Sequence, residues 1–148
     1  MSYHSLYYHI IFSTKNRNTY MDEPQLEEMY KYMSGVIKNM KAKLFLINGP
    51  SDHVHVALST NPDISISDCA RTIKANTSRW VHERFERLRD FGWQEGYSAF
   101  SVSKSNIQSV VNYIENQREH HKTITFEEEL KSFLKKHNIE YNSKYFPE

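Results

Sequence analysis

His53 and His55 sit two apart in Ser51-Asp52-His53-Val54-His55-Val56-Ala57-Leu58. In a β-strand, alternate side chains share a face, which sets the two imidazoles roughly 6–7 Å apart. Val54, Val56 and Leu58 take the opposite face for the core, so the pattern predicts histidines on the more polar, accessible side. A second pair lies four apart in Tyr113-Ile114-Glu115-Asn116-Gln117. There Ile107, Val110, Val111 and Ile114 mark the apolar stripe of a helix, and Tyr113 and Gln117 project from its flank. Two imidazoles with an amide or carboxylate from a helix can hold a divalent ion and leave positions open for water or a phosphate oxygen. A tyrosine can attack phosphorus once its proton leaves and the charge on the phosphoryl oxygens is neutralised, giving a phosphotyrosine that a free 3′-hydroxyl can reverse. Each pair alone is a weak signal, since short spacings arise by chance and most tyrosines are structural.

These side chains need a scaffold. Tyr3 to Ser13 alternates as a central strand with two differently used faces. Asp22 is placed to cap a helix starting near Pro24 and running towards Met40. Lys43–Ile47 and Asp52–Ser59 read as two strands joined by the turn Asn48-Gly49-Pro50-Ser51. Ser65 or Ser67 caps a second helix extending to about Leu88, Gly96–Val102 returns as a strand, and Ser105 caps the helix bearing Tyr113 and Gln117. The first six elements give an α+β class, a ferredoxin-like (RRM-like) βαββαβ domain with a four-stranded antiparallel sheet. Its two helices would cover one sheet face and leave the other free for a site. Thr125 stands three residues before Glu128, a capping-box spacing that starts a short terminal helix with Phe126, Leu130, Phe133 and Leu134. The tail from Asn138, with Tyr141, Tyr145 and Phe146, is expected to pack back on the domain.

A chain of 148 residues fits one domain, residues 1–148, with a core over 1–104 and the tyrosine helix and C-terminal segment over 105–148. Aromatic residues at 14% argue against disorder. The single Cys69 excludes an intrachain disulfide framework and is expected to be a small buried residue. No apolar run is long enough to span a membrane and the amino terminus lacks a signal-peptide pattern, so the expected location is cytoplasmic. A formal charge of +1 argues against broad coating of nucleic acid. The stretch from Arg71 to Arg89 is nevertheless basic, carrying Lys74, Arg79, Arg84 and Arg87 between its ends against Glu83 and Glu86, and such a patch can hold phosphates.

Taken together, these residues resemble the single-tyrosine HUH transposases of the insertion sequences named 200 and 605, a family that includes domesticated relatives acting at chromosomal repeats. The likeness runs through Tyr8-His9-Ile10-Ile11-Phe12-Ser13-Thr14-Lys15, Asp52-His53-Val54-His55, Gly96-Tyr97-Ser98-Ala99-Phe100-Ser101-Val102, Tyr113-Ile114-Glu115-Asn116-Gln117 and Glu119-His120-His121. The resemblance implies an enzyme that cleaves and rejoins single-stranded DNA at the ends of its element. It implies Tyr113 as the nucleophile that becomes joined to the 5′-phosphate, and His53, His55 and Gln117 as ligands of Mg²⁺ or Mn²⁺. It further implies terminal DNA hairpins as partners, with Lys74 and Arg79 as the basic residues best placed to hold them, and a homodimer whose tyrosine helix acts in trans.

His120 and His121 are expected to be solvent-exposed near a helix end, and His9 either packs in the core or approaches the site. Trp80 and Trp93 are expected to be buried rather than stacked on bases. Two other functions fit the same residues. A non-catalytic single-strand binder of this fold would need only an exposed sheet and a basic rim. A zinc hydrolase would use the histidines and form no DNA adduct.

Overall fold

The computed structural model describes residues 1–142. Four strands, β1 (Tyr7–Ser13), β2 (Lys43–Asn48), β3 (His53–Ser59) and β4 (Ser98–Val102), form one antiparallel sheet in the order β2-β3-β1-β4. With helices α1 (Glu23–Asn39) and α2 (Ile66–Arg84) in the connections, this is the expected ferredoxin-like βαββαβ unit. Three further helices follow: α3 (Ile107–Glu115), α4 (Gln117–His120) and α5 (Phe126–Lys136).

Local chemistry explains the boundaries. Asp22 accepts a hydrogen bond from the Gln25 amide at 2.9 Å while Gln25 Oε1 accepts one from the Asp22 amide at 3.0 Å, a reciprocal cap on α1. Leu26, Met29, Tyr30, Met33 and Ile37 then recur at helical spacing and are buried. Ser65 caps α2 by accepting from the Asp68 amide, and Thr125 caps α5 by accepting from the Glu128 amide. Ser105 does not cap α3. Its hydroxyl meets that of Ser103 at 3.1 Å, and Asn106 is the N-cap without a side-chain bond.

The sheet has an apolar side as predicted. Ile10, Phe12, Val54, Val56 and Leu58 pack with the stripes of α1 and α2 in the main core. The other face departs from expectation, because it is not free. Ala57 packs with Ile107 and Ile114 of α3, and Ile11 and Phe100 pack with Leu134 of α5. Both of those helices carry apolar stripes, which in water must find a surface, and the sheet offers it.

At the β2–β3 turn a Cβ on Gly49 would collide with the His53 carbonyl oxygen, so only glycine fits. Tyr30 donates to the Gly49 carbonyl at 3.2 Å. Asn48 next to it donates its amide to the carbonyls of Ile114 and Glu115 at 3.1 and 3.3 Å, satisfying the end of α3. Of the tail, Tyr141 is exposed, and Tyr145 and Phe146 lie outside the described residues.

Cys69 is fully buried in the main core, as expected, and burial pushes its thiol up from 9.0 to about 11. Only the thiolate reacts, so iodoacetamide at pH 8–9 is expected to label Cys69 at least about 100-fold more slowly in the folded chain than in urea. Comparable rates would show that this part of the core opens readily. The sign for stability follows from the raised value. The contribution of the neutral thiol is complete below about pH 9 and is lost as pH rises through about 11.

Candidate active site

Antiparallel pairing places His55 opposite Ile11 and His53 opposite Ser13. His9, Ile11, Ser13, His53 and His55 therefore share the sheet face covered by α3 and α5. The expected accessible histidines are instead buried, with 1% and 0% of their surface exposed, because those helices close over them. Their Nε2 atoms converge on one oxygen, Oε1 of Glu129 in α5, at 3.2 Å for His53 and 3.0 Å for His55. His121 Nε2 lies 3.0 Å from the same oxygen. The second oxygen, Oε2, accepts from the Gln117 amide at 2.8 Å and from the Tyr113 hydroxyl. The Tyr113 ring lies 5.9 Å from the His55 ring, and the half-buried phenol also borders an open cleft lined by Phe100, His120, Phe133 and Lys136.

Each histidine is oriented through its other nitrogen. His53 Nδ1 meets Asp52 Oδ1 at 2.8 Å, and His55 Nδ1 meets His9 Nε2 at 2.7 Å. Such bonds fix the ring and the tautomer of a histidine that ligates through Nε2. Since a carboxylate only accepts, His53 Nδ1 is the donor to Asp52. Its Nε2 then faces another acceptor, Glu129, and that contact is favourable only with a proton or another cation between the two.

The electrostatics agree. Burial alone would lower His53, but its hydrogen bond to Asp52 and the adjacent Glu129 carboxylate outweigh burial and raise the imidazole above its ordinary value. Burial lowers His55 to about 4, and burial with the His55 charge lowers His9 to about 3. Glu129 would be raised by burial, yet the His53 and His55 imidazoles facing it hold it well below the usual carboxylate range. Burial and the Glu129 bond both raise Tyr113, which keeps the phenol neutral. Asp52, opposed by burial, is held low by His53.

The donor set fits a metal ion. Among the described residues, His53 Nε2, His121 Nε2 and Gln117 Oε1 are buried atoms with no hydrogen-bond partner; the two nitrogens face Glu129 Oε1 at 3.2 and 3.0 Å, and Gln117 meets Glu129 through its Nε2. Nitrogen and oxygen atoms left unpaired at one point are what a bound cation would satisfy. One ligand atom from each of His53, His55, His121 and Glu129 falls within 4.8 Å of the others.

The structure brings Tyr113, His53, His55 and Gln117 to one place. Tyr113 and Gln117 are not on one continuous helix, however. The chain leaves helical geometry at Asn116, and Gln117 opens α4, which Arg118 ties to α1 through Glu23 and Glu27. Within the single chain, Tyr113 lies beside that chain's own histidines.

Lys74 and Arg79 stand apart on α2, across the sheet. Lys74 is engaged, donating to the carbonyls of Gln94 and Gly96 at 2.8 and 2.5 Å, while Arg79 is exposed and donates to Asn76. His121 is 8% exposed in its side chain, contrary to its expected place in solvent, and His9 supports His55. Trp80 and Trp93 are part-buried against the main core.

Glu129 and the role of His121 escaped the sequence reading. The signal was present in α5. Glu129 falls with Phe126, Leu130 and Phe133 on the helix's apolar stripe, a position where a carboxylate must be paired.

Comparison with known proteins gives the class to which this fold and its paired strand histidines belong. A family profile described as IS200-like transposase matches residues 2–117, and the chain belongs to that family. It is similar to the ISDra2 transposase TnpA of Deinococcus radiodurans, 22% identical over 78% of this chain and 86% of that protein. It is also 26% identical to the transposase for insertion sequence element IS200 of Salmonella typhimurium, over 78% of each chain. Two solved structures share the fold. One is a candidate transposase from Deinococcus radiodurans R1, at a TM-score of 0.66 and 23% identity, covering 78% of this chain and 93% of that one. The other is a REP-associated tyrosine transposase bound to a REP hairpin, at a TM-score of 0.63 and 16% identity, covering 84% of this chain and 73% of that one. No helix among the described residues is long and apolar enough to cross a membrane.

Proposed function

We propose that this transposase cleaves and rejoins single-stranded DNA through Tyr113, with a divalent metal, Mg²⁺ or Mn²⁺, held by His53, His55 and Gln117. The observation that carries the reading is the convergence of the Tyr113 hydroxyl, both histidines and Gln117 on the single buried side chain of Glu129.

In the forward step the Tyr113 oxygen bonds to phosphorus, the bond from phosphorus to the 3′-oxygen breaks, the phenolic proton leaves, and the departing 3′-oxygen takes up a proton. The 5′-phosphate stays on the tyrosine, and attack by another 3′-hydroxyl reverses the sequence and joins a new strand. A bound metal would neutralise charge on the phosphoryl oxygens. Asp52 and His9 orient the two imidazoles through their Nδ1 atoms. Glu129, held well below the usual carboxylate range, is a weak base. Its bond therefore keeps the Tyr113 phenol in place and protonated before DNA arrives.

On this reading residues 1–148 work as one domain, 1–104 supplying sheet and histidines and 105–148 the nucleophile. A homodimer whose tyrosine helix acts in trans is the proposed assembly; in the single chain, α3 is held beside the same chain's histidines by its bonds to Asn48 and Glu129. Terminal hairpins are the proposed DNA partners, in keeping with the REP hairpin on the similar solved transposase. Arg79 on α2 is the proposed outer phosphate contact, with Lys74 contributing only if it releases its loop carbonyls. The non-catalytic binder loses its main support, because the sheet face it would use is covered by α3 and α5.

Labelled single-stranded DNA from either end of the gene's own locus, including the hairpins, is expected to give a denaturation-resistant protein–DNA adduct with Mg²⁺ or Mn²⁺ and none with EDTA. Binding without adduct on that substrate would favour the binder. Stoichiometric zinc with no adduct would favour the hydrolase.

A further inference from the structure

We propose that Glu129 and His121 are metal ligands, completing with His53 and His55 a site of three imidazoles and one carboxylate that takes a first-row transition-metal ion in preference to Mg²⁺. This rests on the reading of the histidine pair as ligands, and it changes the composition of the centre. Both added residues lie beyond residue 117, where the match to the family ends.

The geometry carries the proposal. Three Nε2 atoms stand 3.0–3.2 Å from one carboxylate oxygen, an arrangement hydrogen bonding alone does not satisfy. A carboxylate oxygen can accept from several donors, but His53 Nε2 and His121 Nε2 are buried with no hydrogen bond of their own. His53 has already used its Nδ1 proton on Asp52. A cation among the four groups would turn each of these mismatches into a ligand bond, with release of whatever proton His53 holds.

The surroundings are also those of a metal site. Asp52 and His9 hold the outer nitrogens of His53 and His55, and Gln117 Nε2 holds Glu129 Oε2. In this arrangement Gln117 positions the carboxylate that ligates. Its own Oε1 is buried and without a hydrogen bond.

Ligand chemistry sets the preference. Mg²⁺ seeks oxygen in near-ideal octahedral geometry and retains waters, which a buried set of three imidazoles does not provide. Imidazole nitrogen suits zinc and its neighbours, and affinity at a given nitrogen and oxygen site rises from Mn²⁺ through Co²⁺ towards the end of the row.

The test is metal binding by the intact chain without DNA. After EDTA treatment, Co²⁺, Mn²⁺, Zn²⁺ and Mg²⁺ are titrated by calorimetry, and the visible spectrum of bound Co²⁺ reports its coordination. Wild type is expected to take one equivalent of Co²⁺, with Mg²⁺ at least about tenfold weaker. Glu129→Gln keeps the shape of the side chain and removes its charge. That variant and His121→Ala are each expected to weaken Co²⁺ binding by about 10–100-fold or more and to change its spectrum. His120→Ala, one residue from a ligand but 3.8 Å from the carboxylate, is expected to do neither. Thermal melts confirm that each variant is folded. An unchanged affinity and spectrum in both Glu129→Gln and His121→Ala would overturn the proposal, as would Mg²⁺ binding as tightly as Co²⁺. A wild-type chain that binds one Co²⁺ with these ligands but forms no DNA adduct would overturn the cleavage reading and leave the metal site standing.

Discussion

Tyr113→Phe is expected to abolish the covalent adduct and to cut strand cleavage on the order of 10⁴-fold or more, the scale on which enzymes lose activity when a nucleophile is removed. The fold should survive. The substitution deletes one hydroxyl, and Glu129 retains Gln117 and the histidines around it. Loss of that one bond to a charged acceptor costs about 1.5–3 kcal/mol, or a drop of several degrees in Tm for a chain of this size. A denaturing gel for the adduct and a thermal melt on the same preparation separate chemistry from folding. An adduct that persists in Tyr113→Phe would assign the nucleophile to another of the ten tyrosines. Mixing Tyr113→Phe with a His53→Gln chain tests whether the site works within one chain. Recovery of adduct would mean that tyrosine and histidines come from different chains, as a homodimer acting in trans requires, and no recovery would mean that both come from one chain.

The second large effect falls on stability. His55→Ala removes a fully buried imidazole that bridges His9 and Glu129, leaving a buried carboxylate with one fewer partner and a cavity beside it. The cavity left by the imidazole and the loss of a hydrogen bond to a buried carboxylate together cost about 3–5 kcal/mol. At the low end of that range, Tm should fall by about 10 °C. Urea denaturation of the metal-free proteins gives the difference directly. A loss under about 1 kcal/mol would mean that His53, His121 and Gln117 fully compensate Glu129 without His55. The same variant should lose metal binding, which wild-type melts with and without metal would report independently.

Strand alternation made much of this site legible. His53 and His55 had to share a face once Val54, Val56 and Leu58 were given to the core, and the structure keeps that division. The burial of that face was not legible, because it depends on where α3 and α5 dock, and docking joins residues far apart in sequence. Glu129 illustrates the difficulty. In the run Glu127-Glu128-Glu129 it reads as an ordinary acidic start to a helix, where negative charge is favourable. Only its register with Phe126 and Phe133 marks it as inward-facing. Gln117 was found by its spacing from Tyr113, although that spacing assumed an unbroken helix and Asn116 interrupts it. Lys74 was chosen for its charge, and charge alone does not reveal that its ammonium is occupied by the carbonyls of Gln94 and Gly96.

The β2–β3 turn has a consequence for tolerance to error. Gly49 adjoins His53, while Asn48, its chain neighbour, grips the carbonyl end of the helix that bears Tyr113. A displacement of this turn therefore acts on the histidine strand and on the tyrosine helix at once. A single substitution among the six residues 48–53 reaches both halves of the site.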